Sequence, residues 1–212
     1  MKGLEAFLIW VTIFGLNFSG CYSKVSEDDV RCLQGIKQPF SDPAEKLSSW
    51  DFKNTSVGNI CKFVGVTCWN DRENRVFNLE FRDMKLSGGN EFSGTIPSQI
   101  CDWVPFITTL DMSNNSFSGS IPPELGKCSY LNELVLSNNQ LSGTIPYEIA
   151  SLGRLKVFYM ESNLLSGEVP DFKSTYIIAQ SYAENSQLFG RPLDPYHNIN
   201  PLKVGFGIGY LV

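Results

Sequence analysis

The sequence predicts an α/β solenoid of leucine-rich coils, with short parallel strands on its concave face, a helical cap at the N-terminal end and a degenerate cap at the C-terminal end. Three observations predict it. Ile96-Pro97, Ile121-Pro122, Ile145-Pro146 and Val169-Pro170 recur at intervals of 25, 24 and 24 residues, with Phe117-Ser118-Gly119, Leu141-Ser142-Gly143 and Leu165-Ser166-Gly167 between them. A period of about 20 to 29 residues with leucine at fixed offsets marks one strand-and-turn unit per coil. Within each unit Leu134 and Leu136 alternate with Glu133, Val135 and Ser137, the period of a strand with one buried face. Asn115, Asn139 and Asn163 then recur at the bend after each strand, placed to turn inward and bond backbone groups of their own and neighbouring coils. Solenoids present long ordered surfaces, so the period points to binding rather than chemistry.

Residues 1–23 read as a secretory leader. Lys2 precedes an apolar run from Ala6 to Leu16, and the small residues Ser19, Gly20, Cys21 and Ser23 follow. The run suits a signal-peptide core and is too short to span a bilayer. Cleavage after Cys21 or after Ser23 delivers the chain to an oxidising compartment, where cysteines pair. Either cut leaves Cys32, Cys61, Cys68, Cys101 and Cys128, an odd number. Cys61 and Cys68 lie together in the cap and are expected to pair. Cys101 and Cys128 fall near equivalent places on successive coils and are expected to staple them, worth about 3.5 kcal/mol in the chain-entropy picture. Cys32 is then the expected leftover, buried and inert.

Residues 24–70 form the N-terminal cap. Ser26-Glu27-Asp28-Asp29 has the capping side chain and first-turn acids of a helix start, and Val30, Leu33 and Ile36 make an apolar stripe ending before Pro39. This segment shields the first coil, because an open solenoid end exposes its core.

Residues 71–172 hold the coils. The buried pairs matching Leu134 and Leu136 are Leu79 with Phe81, Leu110 with Met112, and Phe158 with Met160. The outward positions form the concave face: Asn78, Glu80 and Arg82; Thr109, Asp111 and Ser113; Glu133, Val135 and Ser137; Val157, Tyr159 and Glu161. Partner contacts are expected from Tyr159, Val157, Glu161, Glu133, Val135, Asp111 and Arg82, with Tyr159 as the anchor because exposed aromatics dominate interfaces.

A net charge of −5 and a pI near 4.9 argue against nucleic acid or an anionic membrane surface as partner. Chemistry finds little support. His197 is the only histidine and no nucleophile motif accompanies it. Gly205-Phe206-Gly207-Ile208-Gly209 is glycine-rich, but no helix can follow it to hold a phosphate. The cysteines lack paired short-spaced ligand motifs, so no metal and no cofactor is expected, and the chain does not read as an enzyme. Asn54-Thr55-Ser56 and Asn114-Asn115-Ser116 fit the N-glycosylation pattern, so Asn54 and Asn114 are candidate acceptors.

Leu47-Ser48-Ser49-Trp50 and the phrase from Ile60 to Val76, with Cys61-Lys62-Phe63-Val64-Gly65-Val66-Thr67-Cys68-Trp69 at its centre, join the Leu-Ser-Gly-x-Ile-Pro coils in a familiar combination. Together they resemble the ectodomain of plant leucine-rich-repeat receptor-like kinases, and the long cap phrase is similar to the BIR-type subgroup. The resemblance runs from about residue 28 to residue 195. It implies an extracellular module that associates with SERK co-receptor kinase ectodomains and restrains immune and growth signalling.

The chain departs from that pattern in three places. Leu86-Ser87-Gly88 is followed within six residues by Phe92-Ser93-Gly94, so residues 88–90 mark a seam from which a coil is missing, and Asn90 has no strand of its own before it. Residues 173–200 read as a remnant C-terminal cap, with Phe189 and Tyr196 where the family has cysteines. Neither the His-Arg-Asp nor the Asp-Phe-Gly signature of a kinase occurs. The apolar tail, residues 201–212, falls where the family's transmembrane helix begins, so the location is the apoplast, or the plasma membrane if the gene continues. Two rival readings remain at this level: a secreted inhibitor of microbial cell-wall hydrolases, and a truncated paralogue without function.

Overall fold

The computed structural model describes residues 28–54, 56, 58–70, 75–84, 93–172 and 177–193. The leader, the seam at residues 88–90 with Asn90, the tail, Tyr196 and His197 lie outside the described residues. The elements are α1 (Asp28–Lys37), β1 (Phe40–Ser41), β2 (Val66–Cys68), β3 (Val76–Glu80), β4 (Ser93–Gly94), α2 (Ile100–Trp103), β5 (Thr109–Asp111), β6 (Ser116–Ser120), β7 (Glu133–Val135), β8 (Gln140–Gly143), α3 (Tyr147–Ala150), β9 (Val157–Tyr159), β10 (Leu164–Glu168) and β11 (Gln187–Phe189).

Two sheets run along the solenoid. The concave sheet has the order β2-β3-β5-β7-β9, and the second has the order β1-β4-β6-β8-β10-β11. All neighbours are parallel except the two cap strands, β2 on β3 and β1 on β4, which are antiparallel. The expected inward residues Leu79, Phe81, Leu110, Met112, Leu134, Leu136, Phe158 and Met160 are all buried between them. Each such side chain contributes about 1.5–3 kcal/mol before ordering entropy is counted. The fold is the α/β leucine-rich solenoid that the period predicts.

The cap is tied down by specific contacts. Leu33 and Ile36 of α1 are fully buried, and Asp29 Oδ2 accepts the Val76 N–H at 2.9 Å, pinning the helix to the first coil strand. Asp42 accepts the N–H groups of Lys46 and Leu47, which holds the turn that follows β1. Trp50 stacks on Phe63 with ring centroids 5.6 Å apart, and its Nε1–H donates to the Val64 carbonyl at 2.8 Å, so the buried indole leaves no polar atom unmet. Disulfides join Cys61 to Cys68 and Cys101 to Cys128, with Cα–Cα distances of 5.4 and 5.0 Å.

Cys32 corrects an expectation. It is buried, but it is disulfide-bonded rather than a leftover thiol, and its partner is outside the described residues. An odd cysteine count after an assumed leader cut does not settle the state of any one cysteine.

Across the seam, Leu79 pairs with Leu110, 31 residues on, whereas Leu110 to Leu134 and Leu134 to Phe158 are 24 each. In the concave sheet no strand among the described residues lies between β3 and β5. The cap closes this junction. Phe40 pairs with Gly94, and its ring meets Phe81 and Phe117 edge-on at 5.6 and 5.3 Å. Gly94 sits at φ +133°, and a Cβ there would run into the Pro39 carbonyl oxygen, so only glycine lets β4 reach β1. Gly35 of α1 lies against the Trp103 indole of α2, where a Cβ would come within 2.9 Å.

The asparagine positions behave as the repeat predicts. Asn139 Nδ2 donates to the carbonyls of Met112, Leu136 and Ser137, and its Oδ1 accepts the Phe117 N–H at 3.0 Å. Asn163 repeats the arrangement with Leu136, Met160, Glu161 and the Leu141 N–H. Asn115 makes the three donations, to Phe81, Met112 and Ser113, yet its buried Oδ1 has no hydrogen-bond partner. Among the described residues it is the first rung of the row.

A fourth asparagine extends the row. Asn185 Nδ2 donates to Met160, Tyr182 and Ala183, and its Oδ1 accepts the Leu165 N–H. With β11 paired to β10 and Tyr182 packed on Phe158 at 5.8 Å, residues 177–193 make a further rung. Phe189 itself stays exposed. Among the described residues no helix is long and apolar enough to cross a membrane.

Candidate functional site

The concave strands distribute the expected contact residues unevenly. Tyr159 is 44% exposed at the outer end of β9, Val157 and Glu161 flank it half-buried, and Glu133 is exposed on β7. Val135 and Asp111 are buried, at 9% and 6%, and offer a partner almost no surface.

Asp111 acts instead as a support. Its Oδ2 accepts Arg82 Nη2 at 2.8 Å and Nε at 3.0 Å, while its Oδ1 accepts the backbone N–H and hydroxyl of Ser113. The side-on pair orients the guanidinium of Arg82, whose side chain is 60% exposed, toward the open face. Ser137 Oγ and Glu161 Oε2, one coil apart in the same column, are buried without hydrogen-bond partners.

A second feature lies on the flank where the chain enters each strand. The Arg75 guanidinium lies over the Phe106 ring, 5.2 Å from its centroid. Phe106 and Tyr130 are 5.4 Å apart. The Arg154 guanidinium lies over Tyr130 at 5.0 Å. Each of the four stands four residues before the buried leucine or phenylalanine of its strand, Leu79, Leu110, Leu134 or Phe158, so the solenoid stacks them in one column. Trp69, 70% exposed, packs edge-on against Phe77 at 5.3 Å beside the same column, and its N–H donates to the Arg75 carbonyl.

The alternating strand positions do not point to this ladder. Its signal was available: Phe106, Tyr130 and Arg154 are spaced 24 and 24, the coil period itself. Chemically the column is an aromatic strip closed at both ends by cations, in a chain of net charge −5. The sheet order places Arg75 and Tyr130 on either side of Phe106, and Phe106 and Arg154 on either side of Tyr130. Phe106, Tyr130 and Arg154 are exposed and Arg75 is half-buried. That combination suits an apolar protein surface carrying carboxylates.

Among the described residues no group of three or more His, Cys, Asp or Glu is placed to hold a metal. Asn54 lies on an exposed cap loop, and Asn114 is half-buried just past β5, at φ +56°.

A capped solenoid of this kind, with an ordered lateral strip and disulfide-pinned coils, is a leucine-rich-repeat ectodomain of the receptor-kinase class. Known proteins refine the assignment. Residues 26–69 match the leucine rich repeat N-terminal domain, and residues 106–128 and 130–152 match the leucine rich repeat. The inactive LRR receptor-like serine/threonine-protein kinase BIR2 of Arabidopsis thaliana is 46% identical over 138 residues, 57% of this chain and 23% of that protein. The crystal structure of the BIR2 ectodomain from the same plant superposes with a TM-score of 0.62 at 44% identity, covering 79% of this chain and 97% of that one. The crystal structure of the Arabidopsis BIR3–SERK2 complex matches with a TM-score of 0.61 at 38% identity, covering 78% and 97%.

The chain belongs to the BIR-type leucine-rich-repeat receptor-kinase family, and it corresponds to the ectodomain rather than to the kinase. It spans about a quarter of the length of the curated relatives it matches. The matched segment of those relatives is the leucine-rich-repeat ectodomain.

Proposed function

We propose that this chain is an extracellular module that binds a SERK-type receptor-kinase ectodomain and, by occupying that co-receptor surface, modulates plant immune or growth signalling. The observation that carries the reading is the Arg75–Phe106–Tyr130–Arg154 ladder, an exposed aromatic and cationic strip on an acidic chain. Tyrosine, tryptophan and arginine are the residue types that anchor protein interfaces. The match to a structure of the BIR3–SERK2 complex supports the choice of partner class.

The contact surface is the ladder together with the last coil of the concave face. Tyr159, Val157 and Glu161 adjoin it, and Glu133 and Arg82 lie further along the same face. Arg154 enters β9 three residues ahead of Val157, so strip and concave edge are continuous at that coil.

The test is a titration of the monodisperse secreted chain against a SERK2 ectodomain. Saturable binding at about 1 µM or tighter, near −8 kcal/mol, is expected. Tyr159→Ala with Glu161→Ala should weaken it by about tenfold, a loss near 1.4 kcal/mol. A folded sample that never saturates the partner overturns the reading.

A further inference from the structure

We infer that Asn54 carries an N-linked glycan and that Asn114 does not, although both stand in acceptor triplets. The inference rests on the extracellular reading of the chain. It separates two triplets that the sequence leaves equal.

At the first triplet the loop is already shaped for the modification. Asn54 is exposed on the cap. Its Oδ1 accepts the Ser56 N–H at 3.0 Å and the Ser56 hydroxyl at 2.7 Å, so the serine oxygen that an acceptor triplet requires sits directly on the carboxamide to be modified. Asn54 Nδ2 donates one hydrogen to Asn59 Oδ1 at 3.2 Å. A primary amide has two, and the second has no hydrogen-bond partner among the described residues. Asn59 in turn donates to the carbonyls of Asp51 and Asn54, which holds the loop open in this form. Replacing that second hydrogen with a sugar therefore breaks no hydrogen bond among the described residues of the cap.

The second triplet is built into the solenoid. Asn114 is half-buried at φ +56°, and its N–H donates to Ser137 of the next coil. Asn115, the middle residue, is 1% exposed and spends its amide on three carbonyls. Ser116 is 8% exposed at the start of β6, and among the described residues no hydrogen bond joins its hydroxyl to Asn114. Folding of this coil removes the triplet from an acceptor conformation, because its backbone and its middle and last residues are taken up by the solenoid.

The step is a glycosyl transfer without redox change. Asn54 Nδ2 forms a bond to the anomeric carbon of a lipid-diphosphate-linked oligosaccharide. The bond from that carbon to the diphosphate oxygen breaks, the lipid diphosphate leaves, and the amide proton passes to a base of the transferase.

The experiment expresses the full chain with its own leader in plant cells and analyses the total cell and medium extract. Enzymatic deglycosylation in heavy-oxygen water marks each formerly glycosylated asparagine as labelled aspartate, read by peptide mass spectrometry. Label at Asn54 and none at Asn114 is expected. Asn54→Gln and Ser56→Ala should each abolish the gel shift on deglycosylation, and Asn114→Gln should leave it unchanged. Label at Asn114, or an unlabelled Asn54 in a chain whose Cys61–Cys68 disulfide has formed, overturns the assignment and leaves the extracellular reading standing. An unlabelled chain with Cys61 and Cys68 both reduced removes the extracellular reading, and the glycan with it.

Discussion

The guanidinium of Arg154 lies 5.0 Å from the centroid of the Tyr130 ring, one coil away along the solenoid. Tyr130 is 39% exposed and Arg154 is exposed, so both members of the pair reach solvent. An exposed cation–π pair of this kind is worth only about 0.5–1 kcal/mol to folding. Its larger effect is to pre-order two interface-type side chains at low entropic cost to a partner.

Arg154→Glu should therefore separate binding from stability. Against a SERK2 ectodomain the affinity should drop by about tenfold or more, because a repulsive charge replaces a guanidinium at the end of the strip. Unfolding free energy should shift by no more than about 1 kcal/mol, the size expected of an exposed pair. Denaturant melts and titration calorimetry on one preparation check both. Unchanged affinity would remove the ladder from the contact surface.

The asparagine row predicts an unequal pair of variants. Asn139→Ala strips three carbonyls of a donor and leaves the buried Phe117 N–H without its acceptor. Each orphaned group costs about 1–3 kcal/mol. Asn115→Ala loses its three donations but no accepted bond, because Asn115 Oδ1 has no donor to lose. Asn139→Ala should be the more destabilising in urea titrations. Equal losses would mean that the Phe117 N–H contributes nothing.

The repeat period made the coils, the inward leucines and three of the four buried asparagines legible from sequence, because each recurs at a fixed offset under the same backbone demand. Asn185 was not legible. It follows Asn163 by 22 residues rather than 24, and Leu188-Phe189-Gly190 stands where the others have Leu-Ser-Gly or Phe-Ser-Gly. The concave residues were placed on the correct face, but alternation says which way a side chain points and not how deeply its neighbours cover it. That is why Val135 and Asp111 turn out buried. The ladder escaped because it precedes the strands, where no period-two pattern directs attention. Cys32 escaped because pairing was counted after an assumed cleavage.

The closure at the seam rests on a helix contact that one methyl group would disturb. A Cβ on Gly35 would meet the Trp103 indole at 2.9 to 3.2 Å, with the ring backed by the coil. Gly35→Val should push α1 off α2 and cost about 1–3 kcal/mol, the usual price of overpacking. Amide exchange should show the loss concentrated in the cap and the first coil. Gly153→Val, with nothing within 4 Å of its Cβ, is the control and should have a smaller effect. Equal effects would mean that the α1–α2 contact does not hold the cap in place.

Tyr182 gives the last prediction and carries a pH signature. Its side chain is 1% exposed against Phe158 and Phe172, and its hydroxyl has no hydrogen-bond partner. Burial without a partner disfavours the phenolate, so desolvation pushes the Tyr182 pKa well above its ordinary value. In the unfolded chain the phenol ionises near pH 10. Above that pH the unfolded state sheds a proton that the folded state keeps, so stability falls as pH rises from about 10 toward the folded pKa, and below about 10 the group adds no slope. Tyr182→Phe removes both effects. At pH 7 it should leave stability unchanged or raise it by up to about 1–3 kcal/mol, the penalty of an unmet buried hydroxyl. Between pH 9 and about 11 it should show a shallower loss than the parent chain. Urea titrations at those pH values decide the matter. A variant that is weaker at pH 7 would require a hydrogen bond to the Tyr182 hydroxyl, and an unaltered alkaline slope would require that phenol to ionise in place.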